Sequence, residues 1–187
     1  HLRQKNRIEG LVHTSGLNRI KPLVYNRKLF ATLKGSQPDK WDELVDKAVK
    51  LKAARVMQLR QSSETWQVAI LFENLILDEG GPEYHLELFV KQNAQAVFDK
   101  RLIEALERLR LMKSWMAHPV DERPWTDVVR QFSKHEAAMF IMGDWVKGEL
   151  NEWGFATDDE FACASMPGTV KYHFYSVDSL SMFPNAH

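Results

Sequence analysis

AAMFIMGDW, residues 137–145, is the stretch whose reading decides the fold. Residues 137–142 are apolar throughout and read as a buried strand. A glycine, an acid and a tryptophan follow at once. Asp144 suits an N-cap, so DWVKGELNEW reads as a helix that leaves the strand at Gly143. A strand that turns directly into a helix is half of an α/β unit, and the rest of the chain repeats the alternation.

Upstream, LVYN at 23–26 reads as a short strand and KLFATL as helical turns closed by Gly35. In PDKWDELVDKAVKLKAA, Asp39 is the expected cap, and Trp41, Leu44, Val45, Ala48 and Val49 recur on one helical face. VMQL at 56–59 is the next expected strand. After the polar QSSE, a helix that is apolar nearly all round runs through TWQVAILFENLILDE until GGP at 80–82 stops it. Phe98, Leu102, Ala105, Leu106, Leu109 and Met112 form a further helical stripe, and Pro119 and Pro124 bound the loop after it. WTDVVRQF reads as a short helix, FACASMP as a strand and HFYSVDSLSMF as a strand or hairpin. The fold class is α/β, without an internal repeat.

Composition excludes several functions. Lysine plus arginine and aspartate plus glutamate both number 25 in 187 residues, so no field of one sign draws nucleic acid or an anionic membrane. Cys163 is the only cysteine, which rules out an intrachain disulfide and a thiolate zinc cluster. A buried structural thiol is expected there, and the compartment stays open. No apolar run nears the roughly 18 residues of a membrane span, and HLRQKNRIEG carries no apolar signal core. The charged start without methionine, and the stop at PNAH after an apolar run, are those expected of a piece of a longer protein.

Chemical motifs are equally sparse. HEAAM at 135–139 starts like a zinc-protease helix, but Met139 stands where the second histidine ligand belongs. The histidines show no ligand spacing, so neither metal nor cofactor is expected. Asp158, Asp159 and Glu160 lack the spacing of a calcium loop or of carboxylates flanking a glycosidic bond, and read as a solvated turn. GxSxG, GxxxxGK and GxGxxG are all missing, and Ser179 and Ser181 beside Asp178 have no identifiable histidine base.

Six tryptophans remain, three of them beside a polar partner at an element end: Trp66 with Gln67, Trp125 with Asp127, and Trp145 with Asp144. An indole can cover the C–H face of a pyranose while carboxylates and amides bond its hydroxyls. Packing alone is the competing reading. Trp41 and Trp115 lie on core stripes, and Trp145 could simply fill the gap at a helix start. Asp178 is a lone acid in an apolar strand, costly to bury without a partner.

The order LVYNRKLF, DKWDELVDKAVKLKAA, ETWQVAILFENLILDEGG, KHEAAMFIMGDWVKGEL, ASMPGT and YSVDSLSMF resembles extracellular sugar-binding proteins of bacterial ABC importers, the family 1 solute-binding proteins, and within them the glucose-binding type. The likeness runs from about residue 20 onward. "AAMFIMGDW" followed by "PGT" and "VDS" carries most of it. It implies a type II periplasmic-binding fold of two α/β lobes closing on a sugar, here incomplete. Residues 1–60 would be part of the first lobe and crossover, 61–170 the second, helix-rich lobe, and 171–187 a returning crossover strand.

The resemblance also implies a ligand set. Asp178 matches the acid of the "VDS" segment that bonds sugar hydroxyls, and Trp125 a stacking tryptophan. Trp66 and Gln67 match a turn lining the cleft, Asp144 and Trp145 start a helix that follows AAMFIM, a central strand of the second lobe, and faces the cleft or hinge, and His13 corresponds to a histidine of an early "VH" segment. QSSETWQ replaces the family's glycine-rich approach, and HTSGLNRIKPLVYN departs from an aromatic-rich version. The implied function is non-catalytic capture of a monosaccharide or short oligosaccharide for membrane permease subunits, in the periplasm or outside the cell, with membrane anchoring of a full-length form left open. Sugar binding by the chain alone is expected to be weak or absent unless a complementary chain supplies the rest. The alternatives are a carbohydrate-active enzyme on an α/β scaffold and a truncated lobe that acts as a protein-interaction module.

Overall fold

Five strands and six α-helices lie along the residues that the computed structural model describes: 12–20, 22–33, 37–172 and 175–182. β1 (Val12–Ile20) and β5 (Tyr175–Met182) form an antiparallel pair of their own. Their register slips once. Ser15 faces Ser179 and Asn18 faces Val177, which leaves Gly16 and Leu17 against Asp178 alone, the pattern of a β-bulge.

The second sheet has the order β3-β2-β4, with β2 (Leu23–Asn26) antiparallel to both β3 (Met139–Ile141) and β4 (Phe161–Ala164). It therefore joins strands from both sides of residue 60. The sequence reading makes AAMFIM a central strand of its lobe; the paired part is MFI, with β2 on one side of it. The outer edge of β3 is taken by residues 57–60. Ala138 N–H donates to Met57 O at 2.9 Å and Arg60 N–H to Met139 O at 2.9 Å, with one parallel bridge between Leu59 and Met139. The expected strand at 56–59 is reduced to that bridge.

Strand alternation splits the core into two layers. Leu23, Met139 and Ile141 pack with Leu44, Ala48 and Leu51 of α2 (Trp41–Ala53) and with Leu71 and Leu75 of α3 (Thr65–His85). Val24, Phe140 and Met142 pack with Val128, Val129 and Phe132 of α5 (Trp125–Ser133) and with Val146 and Leu150 of α6 (Trp145–Glu152). The sheet thus carries helices on both faces, which is why its strands are apolar on both sides.

Local chemistry sets the helix ends. Asn26 caps α1 (Arg27–Ala31), its Oδ1 accepting from Leu29 N–H at 3.0 Å. Gly35, the expected stop, lies outside the described residues. Asp39 does not cap α2. Instead Glu43 reaches back, its carboxylate accepting from the backbone N–H groups of Asp39 (2.9 Å) and Lys40 (3.3 Å). Val49 is 61% exposed, contrary to expectation, because the buried face runs through Leu44, Lys47, Ala48 and Leu51. The Lys47 ammonium sits 5.8 Å over the Phe30 ring.

The GGP signal breaks α3 without ending it. Gly81 takes φ 68° and ψ −176°, a conformation open to glycine, and the helix resumes at Pro82, which suits a first helical turn. A π-helical turn (Leu86–Val90) and a 3-10 turn (Ala94–Phe98) then lead into α4 (Lys100–Lys113). Ala105 and Met112 are buried on α4, with Leu102 and Leu109 packed beside them. Phe98 (81% exposed) and Leu106 (48% exposed) fall off that stripe: the first precedes the helix and the second lies one residue round it. The acidic run at 158–160 is a turn, with Asp158 at φ 66°. Arg27 donates to its Asp158 carbonyl, and Lys28 pairs with Glu160 at 3.0 Å.

Among the described residues no helix is long and apolar enough to cross a membrane, and no group of three or more histidines, cysteines or acids could hold a metal ion.

Candidate functional site

Three helix starts converge beside the end of β3, and each brings a tryptophan. Trp66 is the second residue of α3, Trp125 the first of α5 and Trp145 the first of α6. Trp145 is central. Its ring centroid lies 6.3 Å from that of Trp66, tilted by 40°, and 6.4 Å from that of Trp125, edge to face at 85°. Both arrangements suit the quadrupoles of aromatic rings. Trp66 is the outermost, 40% exposed.

The polar run that precedes α3, read as loop in the sequence, holds the starts together. Gln61, nearly fully buried, donates from Nε2 to Ile141 O at 3.0 Å and to Gln67 O at 3.3 Å, and its Oε1 accepts from Ile141 N–H at 3.3 Å. One amide thus ties β3 to the first turn of α3. Ser62, also buried, accepts at Oγ from Arg123 N–H (3.0 Å) and Glu64 N–H (3.1 Å), which fixes the approach to α5. Buried polar groups this fully engaged specify one arrangement of the segments around them.

Gln67 is buried completely, so its side chain supports the site from below and does not face solvent. Its Nε2 donates to Glu64 Oε2 at 2.7 Å and to Arg123 O at 3.2 Å. Trp66 Nε1–H donates to the same Glu64 oxygen at 3.0 Å. Glu64, which the sequence reading passes over, is therefore the carboxylate at the Trp66 edge. Asp144 occupies the N-cap position of α6 but makes no side-chain cap bond, so the expected capping role is not realised. Gly143 is required by its neighbour: a Cβ there would fall 1.5 Å from Trp145 Cζ3.

The remaining two candidates lie on the separate strand pair. His13 is on β1 opposite Ser181, and Asp178 is on β5 opposite the bulge. The structure gives the backbone pairing there; both side chains lie outside the described residues.

Two further features stand apart from the cluster. Burial pushes the Cys163 thiol up to about 11. A groove of about 680 Å³ opens beside Trp41, Glu104, Glu107 and Arg108, and shares no residue with the tryptophan cluster. Its indole is already engaged, by Trp115 at 5.8 Å and by the Arg108 guanidinium at 4.7 Å. It therefore offers a ligand less than Trp66 does.

A sheet covered on both faces by helices is an α/β architecture. The sequence profile of the bacterial extracellular solute-binding proteins matches residues 14–175, and the chain belongs to that family. It is similar to a "Probable sugar-binding periplasmic protein" of Mesorhizobium japonicum, 27% identical over 161 residues, covering 86% of this chain and 39% of the relative. An "ABC transporter extracellular-binding protein" of Pyrococcus horikoshii is 24% identical over 142 residues, covering 71% and 32%. Among solved structures, a chitin oligosaccharide binding protein superposes with a TM-score of 0.80 at 21% identity, over 97% of this chain and 47% of that one. The receptor AcbH, described as having an exclusive preference for β-D-galactopyranose, gives 0.71 at 17% identity, over 93% and 44%. The fold is part of a periplasmic-binding-protein fold, incomplete in this chain. This chain spans less than half the length of the proteins it matches.

Proposed function

We propose that this chain belongs to the ligand-capturing component of an ABC importer and binds a monosaccharide or short oligosaccharide at the tryptophan cluster. The observation that carries the reading is the meeting of Trp66, Trp125 and Trp145 at three helix starts, with the Glu64 carboxylate at the Trp66 edge. Indoles supply apolar faces for sugar C–H groups, and the helix starts present backbone N–H groups toward hydroxyl oxygens. In this reading the protein is a non-catalytic binder, works in the periplasm or outside the cell, and hands its sugar to permease subunits.

The domain division is part of the same proposal, with one change from the boundary at residue 60: β2 goes with the strands of residues 61–170 that it pairs with. β1 and β5 are then the crossing pair, and the two-layered core around β2 is one lobe of the cleft. The bulge sets Asp178 apart within that pair, at a place where bulges commonly re-aim a side chain. Asp178 and His13 contribute from the crossing strands, and a complementary polypeptide stretch supplies the facing wall.

The test is an NMR titration of the tryptophan indole N–H resonances with D-glucose, D-galactose and chitobiose, which reads binding even in the millimolar range. Resonances of Trp66, Trp125 and Trp145 are expected to move together, while those of Trp41 and Trp115 stay. Trp145→Ala should weaken binding about 30-fold, the scale of a central aromatic contact of about 2 kcal/mol. Indole resonances that ignore every sugar up to its solubility limit would sink the carbohydrate reading.

A further inference from the structure

We infer that Glu64 is a ligand-contacting carboxylate that selects among sugar hydroxyls at the Trp66 face; the inference rests on the carbohydrate reading above. Glu64 is held from two sides. Its backbone N–H donates to Ser62 Oγ at 3.1 Å, and its Oε2 accepts from Trp66 Nε1 at 3.0 Å and Gln67 Nε2 at 2.7 Å. The Gln67 amide is itself oriented, because the same Nε2 donates to Arg123 O at 3.2 Å. Among the described residues all of these bonds reach Oε2, and Oε1 accepts none.

Geometry gives that second oxygen a use. An indole N–H lies in the ring plane, so the carboxylate that it bonds sits at the edge of Trp66 and does not itself cover the ring faces. Trp66 is 40% exposed. A pyranose laid on its face projects equatorial hydroxyls past the ring edge, within the region that Oε1 serves. A carboxylate offers about four acceptor sites, and the protein fills two of them. Holding the indole alone would need only a neutral amide oxygen, which costs less to desolvate than a charge. The charge is explained when a hydroxyl donor arrives, because a charge-assisted hydrogen bond is roughly twice as strong as a neutral one.

The experiment compares Glu64→Gln, which is nearly isosteric, and Glu64→Asp, which keeps the charge and shortens the reach, with the unaltered chain. Each is titrated with D-glucose, D-galactose and the monodeoxy analogues of whichever binds, with the indole N–H spectrum as the readout and as the check on folding. Both variants are expected to lose about 10–100-fold in affinity for the parent sugar, the scale of one hydrogen bond to a charged group. That loss should shrink to near nothing for the one analogue that lacks the hydroxyl bonded to Oε1. A loss of the same factor for the parent and every analogue would mean that Glu64 only positions Trp66, and would overturn the inference while leaving the sugar site standing. Indoles that respond to no sugar would overturn both.

Discussion

The indole of Trp145 lies over the Cα of Gly143, so closely that a methyl group on Gly143 would sit 1.5 Å from Cζ3 and 2.1 Å from Cη2. Sequence neighbours at the strand-to-helix turn are thereby in steric contact, and the ring is directed between Trp66 and Trp125. Gly143→Ala is expected to displace the indole and cost about 1–3 kcal/mol in urea unfolding, the usual scale of overpacking. In a Trp145→Ala background the same substitution should cost almost nothing. Equal costs in the two backgrounds would show that the two residues are not coupled.

Two other glycines separate conformational need from chance. Gly168 takes φ 82° and a Cβ there would fall 1.5 Å from an Asp78 carboxylate oxygen, whereas Gly148, inside α6, has nothing within 4 Å of its Cβ position. Gly168→Ala should destabilise by about 1–3 kcal/mol. Gly148→Ala should stabilise by about 0.5–1 kcal/mol, because it removes backbone freedom from the unfolded chain. Denaturant midpoints that move in the same direction would contradict this assignment.

Asp99 begins α4 with its carboxylate bonded first to the Arg101 guanidinium and then to the Arg101 backbone N–H, which lowers it to about 2 from 3.8. A carboxyl depressed in the folded state stabilises above its ordinary value and loses that effect as pH falls toward the folded value. The thermal midpoint of the unaltered chain should exceed that of Asp99→Ala near neutrality, and the gap should close between about pH 4 and pH 2. A gap independent of pH would mean that the capping geometry, and not the charge, is what matters.

Cys163 packs on β4 against the Val24, Phe140 and Phe161 side of the core, and burial pushes its thiol up to about 11 from 9.0. With so little thiolate, alkylation by iodoacetamide at mildly alkaline pH should be on the order of 100-fold slower in the folded chain than in urea. Similar rates in both states would show that the thiol is solvent-accessible.

Much of this fold was legible along the chain because the forces that set it are local. Alternation in LVYN and MFI fixed which residues face which layer, and the periodic stripes of α2 and α4 predicted helices that exist. The errors were of phase and partner. Val49, Phe98 and Leu106 are apolar but lie off the buried stripes, and apolar character does not report on the angular width of a contact face. Asp39 and Asp144 have the right chemistry for caps, yet Glu43 caps α2 and Asp144 makes no cap bond, because either side of a turn can supply an acceptor.

The sequence by itself determined the α/β class, the family resemblance and three tryptophans at element ends, since each is a property of composition and order along the chain. Only the tertiary structure decided that those tryptophans meet, that β2 holds the centre of the sheet, that Gln67 lies beneath the site, and that Glu64 stands at the edge of Trp66. Trp66 and Trp145 are 79 positions apart in the chain, and residues that distant become neighbours only through the pairing of strands and the packing of helices. That pairing follows from long-range burial, and a single sequence does not display it.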